Sequence, residues 1–89
     1  MTTIRDLIQD NYLKDGDRLV WNRKSLKLVH VATVSATGTI VTEDGAVHKS
    51  PSGAAKHLGN RPVDGWLAWK LEGSGESLAS LRDRYLNGQ

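Results

Sequence analysis

His48-Lys49-Ser50-Pro51-Ser52-Gly53-Ala54-Ala55, followed shortly by Asp64-Gly65-Trp66-Leu67-Ala68-Trp69, is the part of the chain on which the fold turns. Ser50 is a good helix N-cap, and Pro51 suits the first helical position, where its missing N–H costs nothing. The first stretch therefore reads as a strand end running into a capped helix. Ala54, Ala55 and Leu58 form a small-residue inner stripe that lets this helix lie close on a sheet. Ser52, Lys56 and His57 stay nearer the outside, and Gly59 is a natural C-cap. The second stretch reads as a tight turn launching a strand. Alternation along a strand puts Trp66 and Trp69 on opposite sides, with Leu67 and Leu71 beside Trp69, and Ala68 and Lys70 beside Trp66. One tryptophan is then core, and the other shares the more polar face with a lysine.

Upstream, Thr3 and Asp6 form a capping box for a first helix whose apolar stripe is Ile4, Leu7, Ile8 and Tyr12. Lys14-Asp15-Gly16-Asp17 ends it with a turn. A strand over Arg18 to Asn22 follows, with Leu19 and Trp21 on one face. Lys27 to Ser35 is the most strand-like segment, apolar on both faces, which predicts a central strand. Ser35-Ala36-Thr37-Gly38 turns it into Thr39-Ile40-Val41-Thr42, and Asp44-Gly45 predicts a two-residue hairpin returning through Ala46 to Lys49, with His48 pairing near Val41. Downstream, Gly73 to Gly75 is a flexible link and Ser77 caps a last helix with inner residues Leu78, Leu81 and Tyr85. The order is α-β-β-β-β-α-β-α: an α+β fold, an antiparallel meander with about three helices packed on it.

The 89 residues suit one small domain, 1–89, with a modest core. A hydrophobic fraction of 38% and a charged fraction of 25% describe a globular chain rather than a disordered one. The absence of cysteine excludes disulfides and thiolate zinc sites. No apolar run is long enough for a bilayer and no signal-peptide pattern opens the chain, so a cytoplasmic protein without a membrane partner is expected. The net charge of +2 leaves an anionic partner open without requiring one.

The valine–threonine strand, the hairpin at Glu43-Asp44-Gly45, Lys49-Ser50-Pro51-Ser52-Gly53-Ala54-Ala55, Asp64-Gly65-Trp66-Leu67-Ala68-Trp69 and the closing Ser77-Leu78-Ala79-Ser80-Leu81-Arg82 together resemble the RAMA domain. This is the restriction-enzyme and adenine-methylase associated module, and the resemblance covers roughly the whole chain. It implies a non-catalytic DNA-binding module of a restriction–modification setting, with modified or specific DNA, duplex above all, as ligand. A second reading is a subunit that docks onto a nuclease or methyltransferase. The family's glycine–tryptophan motif usually opens with asparagine where this chain has Asp64. An amide both donates and accepts at a base edge, whereas a carboxylate only accepts. The family often carries an aromatic residue where this chain has Ala68.

The residues that could meet DNA fall into groups. Trp66 could stack on a base or pack as core, and Asp64 stands beside it. Lys49, Ser50, Ser52 and Lys56 surround a helix N-terminus, where a phosphate is favoured, although a plain Ser50 cap explains that residue without a ligand. Lys70 shares the expected face of Trp66. The family pattern favours Arg82 over Arg84 in the closing helix. Arg23 and Lys24 lie in the densest positive loop, which could grip a phosphate backbone or simply be solvated. His30, His48 and His57 are too scattered for a metal site, no nucleophile elbow or nucleotide-binding glycine loop is present, and no cofactor is called for.

Overall fold

A computed structural model describes residues 1–88. Its elements are α1 (Ile4–Gln9), β1 (Arg18–Arg23), a 3-10 turn (Lys24–Leu26), β2 (Leu28–Val34), β3 (Ile40–Thr42), β4 (Val47–His48), α2 (Pro51–Gly59), α3 (Gly65–Ala68), β5 (Lys70–Leu71) and α4 (Leu78–Leu86). The five strands form one antiparallel sheet in the order β4-β3-β2-β1-β5, so β2 is central, as its composition predicts.

The β2–β3 and β3–β4 hairpins are built alike. Gly38 N–H donates to the Ser35 carbonyl and Gly45 N–H to the Thr42 carbonyl, each glycine having a positive φ. Ser35 N–H and Thr42 N–H then reach Thr39 and Ala46 respectively, giving three-residue loops that close on a left-handed glycine. The loop around Asp44-Gly45 is thus one residue longer than a two-residue hairpin. This sets the register: His48 pairs with Ile40, next to Val41, and Val47 pairs with Val41.

One sheet face carries Leu19, Trp21, Ala32, Val34, Ile40 and Thr42, all buried beneath the helices. The other face carries Val20, Val29, Val31, Thr33, Val41 and Val47, and no element of the described residues covers it: Val29 is 56% and Val47 64% exposed. The two-sided apolar pattern of β2 therefore reflects one packed face and one open valine face. Lys27 lies outside this strand, ending the 3-10 turn in a left-handed conformation.

The helices start where their caps predict. Thr3 and Asp6 form a complete capping box, Ser50 Oγ accepts from Gly53 N–H at 3.0 Å and Ser77 Oγ from Ser80 N–H at 3.1 Å. α2 includes Gly59 and ends on left-handed Asn60. Gly59 serves packing instead: a Cβ there would approach Trp21 Cη2 to 2.9 Å.

The main correction concerns Trp66. It lies in a short helix, not a strand, and the sheet edge there shrinks to Lys70–Leu71. Asp64 accounts for the change, because its carboxylate accepts from Trp66 N–H at 3.1 Å and caps the turn. Helical geometry breaks the expected alternation: Trp69 is fully buried while Leu67, assigned to its side, is 61% exposed. The helices number four rather than about three.

Candidate nucleic-acid interface

The Ser50–Ser52 and Asp64–Trp69 stretches meet in the structure, and their meeting explains most of their residues. Ser52 Oγ accepts from Gly65 N–H at 2.9 Å, and the Trp69 indole Nε1–H donates to the Pro51 carbonyl at 3.1 Å. Gly65 lies so close to α2 that a Cβ would fall 2.1 Å from the Pro51 carbonyl carbon and oxygen. The Trp69 ring then meets Trp21 edge-on, with centroids 6.0 Å apart. Ser52 and Trp69 thus hold α2, α3 and β1 together, while Ser50 and Asp64 cap α2 and α3. A serine oxygen already accepting a backbone N–H within its own fold needs no ligand to explain it.

Trp66 is half-buried against the core, and the Arg82 guanidinium lies 4.7 Å from its ring centroid. Of the two closing-helix arginines, Arg82 is the one beside Trp66. Arg84 instead pairs with Glu76 at 3.3 Å and lies over Tyr12, while Arg82 makes no ion pair among the described residues. Lys70 does not join Trp66. It pairs with Val20 in the sheet, which puts it on the open valine face, whereas Trp66 belongs to the helical layer. The expected sheet face shared by Trp66 and Lys70 does not exist, because Trp66 is not in the sheet. Lys49 and Lys56 are exposed at opposite ends of α2.

The cations that converge are at the end of β1. Trp21, Asn22, Arg23 and Lys24, together with Arg61 from the loop after α2, line an open cleft of about 590 Å³. Its charged lining residues, Arg23, Lys24 and Arg61, are all positive, and none makes an ion pair among the described residues. Arg23 also stacks on Trp21, its guanidinium carbon 5.0 Å from the ring centroid. Beside it lies a second cleft of about 370 Å³, which shares Trp21, Asn22 and Lys24 and is lined further by Val20, Leu67 and Ala68 together with Lys70 and Glu72. Arg61 was not singled out from the sequence, where it stands alone in a polar loop. Only the return of α2 against Trp21 brings it beside Arg23.

A separate polar cluster joins the β3–β4 loop to α2. Asp44 accepts from Thr42 Oγ and contacts His57 Nε2, and the His48 and His57 rings lie 4.8 Å apart. The Thr42 hydroxyl, then His57, hold the Asp44 carboxyl well below its ordinary range. Burial, then the neighbouring His57, push His48 down. No group of three or more metal-ligating side chains with metal-site geometry occurs among the described residues.

No curated protein matches the chain. The family model described as "Restriction Enzyme Adenine Methylase Associated" matches residues 1–89, the whole length. The chain belongs to the RAMA family.

Proposed function

We propose that this protein is a non-catalytic DNA-binding module working beside restriction or methylation enzymes, the setting for which its family is named. The observation that carries the reading is the convergence of Arg23, Lys24 and Arg61 on one open cleft with no acidic lining residue. Three unpaired cations fixed in a concave surface attract successive phosphates and release condensed counterions when they bind. Arg82, lying over Trp66, offers a second planar cation for a phosphate or base edge, backed by an aromatic ring. Lys49, Lys56 and Lys70 add to the positive field. Asp64, Ser50 and Ser52 act by fixing the framework, each with one side-chain oxygen accepting a backbone N–H.

Fluorescence anisotropy with matched duplexes, with and without N6-methyladenine, at two salt concentrations tests this. Binding that weakens steeply with salt supports the DNA module, and a difference between the duplexes makes it a reader of the modified base. Absence of binding by folded protein at low salt refutes it. A second reading, a subunit docking onto a nuclease or methyltransferase, is favoured by the open face bearing Val29 and Val47 in a family named for those enzymes. That reading predicts association insensitive to Arg23→Gln and Lys24→Gln.

A further inference from the structure

We propose that the two adjoining clefts at the end of β1 form a single nucleotide site, taking an unstacked base in one and its phosphate in the other. The inference rests on the DNA-binding reading and specifies the unit that is bound. The two clefts differ in chemistry but share a boundary. The larger has only cations among its charged lining residues, Arg23, Lys24 and Arg61. The smaller has apolar walls from Val20, Leu67 and Ala68, and its volume of about 370 Å³ lies in the range of ordinary small-ligand pockets. Trp21, Asn22 and Lys24 line both.

Each boundary residue has a use in such a site. The exposed Asn22 amide both donates and accepts, the combination needed to read a base edge and the one that Asp64 lacks. Lys24 reaches both compartments and stands where the link between base and phosphate would pass. Arg23 is held against Trp21 and is thereby preorganised for a phosphate. Leu67 is 61% exposed despite its size, which suits a wall that becomes covered only when the cleft fills. A fully stacked base pair cannot enter such a cleft, so the ligand is either an unpaired nucleotide within a strand or a free 5′-nucleotide.

The test measures affinity for three probes: a fully paired duplex, the same duplex with one unpaired adenine, and free deoxyadenosine monophosphate, the last by NMR shifts at Asn22 and Leu67. The wild type should bind the bulged duplex at least fivefold more tightly than the paired one. Leu67→Ala should remove that preference while leaving paired-duplex affinity within twofold, and Asn22→Ala, in the lining of both clefts, should remove it as well. Both residues are exposed, and unchanged circular dichroism would confirm that the variants fold. Shifts with the free nucleotide at millimolar concentration would show that the site takes it without a strand. Their absence, with the bulge preference intact, would assign the site to strands alone. Equal binding to both duplexes, unaltered by either variant, would overturn the nucleotide site yet leave the DNA module standing. Failure of all three probes to bind would overturn both.

Discussion

Replacing Gly65 with alanine adds one methyl group at the point where α3 meets α2. A Cβ there would lie 2.1 Å from the Pro51 carbonyl carbon and oxygen and 2.4 Å from Ser52 N. These are backbone atoms of a helix, so no flexible side chain can yield, and the two helices must separate. Separation stretches the Ser52 Oγ to Gly65 N–H bond and the Trp69 Nε1–H to Pro51 carbonyl bond. Each such bond contributes about 0.5–1.5 kcal/mol net, and forced overpacking costs about 1–3 kcal/mol. The combined loss is roughly 2–6 kcal/mol by those values. A chain of this length has about 4–13 kcal/mol of stability in all. Urea unfolding followed by tryptophan fluorescence should show a fall in the midpoint of that order. Gly73→Ala is the control, because a Cβ there meets nothing within 4 Å. A Gly65→Ala protein within about 0.5 kcal/mol of wild type, the range of ordinary surface substitutions, would refute the close-approach argument.

Other consequences follow from single contacts. Ser52→Ala leaves Gly65 N–H without its acceptor and should cost about 1–2 kcal/mol in the same urea assay, since that group is part-buried. Arg82→Ala should uncover the Trp66 ring, shifting tryptophan emission to the red and increasing quenching by acrylamide, with a stability loss of about 1 kcal/mol or less. His48 has a lowered pKa in the folded state, so it favours folding above the unfolded value of 6.5 and this contribution fades as pH falls below it. Asp44 is also lowered and therefore acts likewise from 3.8 downward. Thermal melts should accordingly decline in two steps on acidification, and His48→Gln should remove the upper one.

The sequence was legible wherever a local rule determined structure. Thr3, Ser50 and Ser77 cap as their positions require, and Gly38 and Gly45 turn the chain as hairpin glycines do. The β2 segment announces a central strand. Asp64-Gly65-Trp66 reads as a strand start, but the Asp64 carboxylate caps a short helix there instead. Only the approach of Gly65 to Pro51 shows why a glycine stands there. The helical turn removes Trp66 from the sheet and separates it from Lys70. Gly59 resembles a cap but is small in order to admit Trp21. Arg61 joins Arg23 and Lys24 across a loop whose path no local pattern encodes. The pairing of Arg82 with Trp66 was visible in part, since Arg82 follows the buried Leu81 at the edge of α4.

The salt dependence of duplex binding, compared between wild type and Arg23→Gln/Lys24→Gln/Arg61→Gln, tests the central claim most directly. If these three cations grip phosphates, the slope of log affinity against log salt should fall in magnitude by about 2.7, at roughly 0.9 per contact. Lys14→Gln, absent from the lining of either cleft, should change the slope little. A triple variant that binds with the wild-type slope and affinity would contradict the account and move the interface elsewhere on the protein.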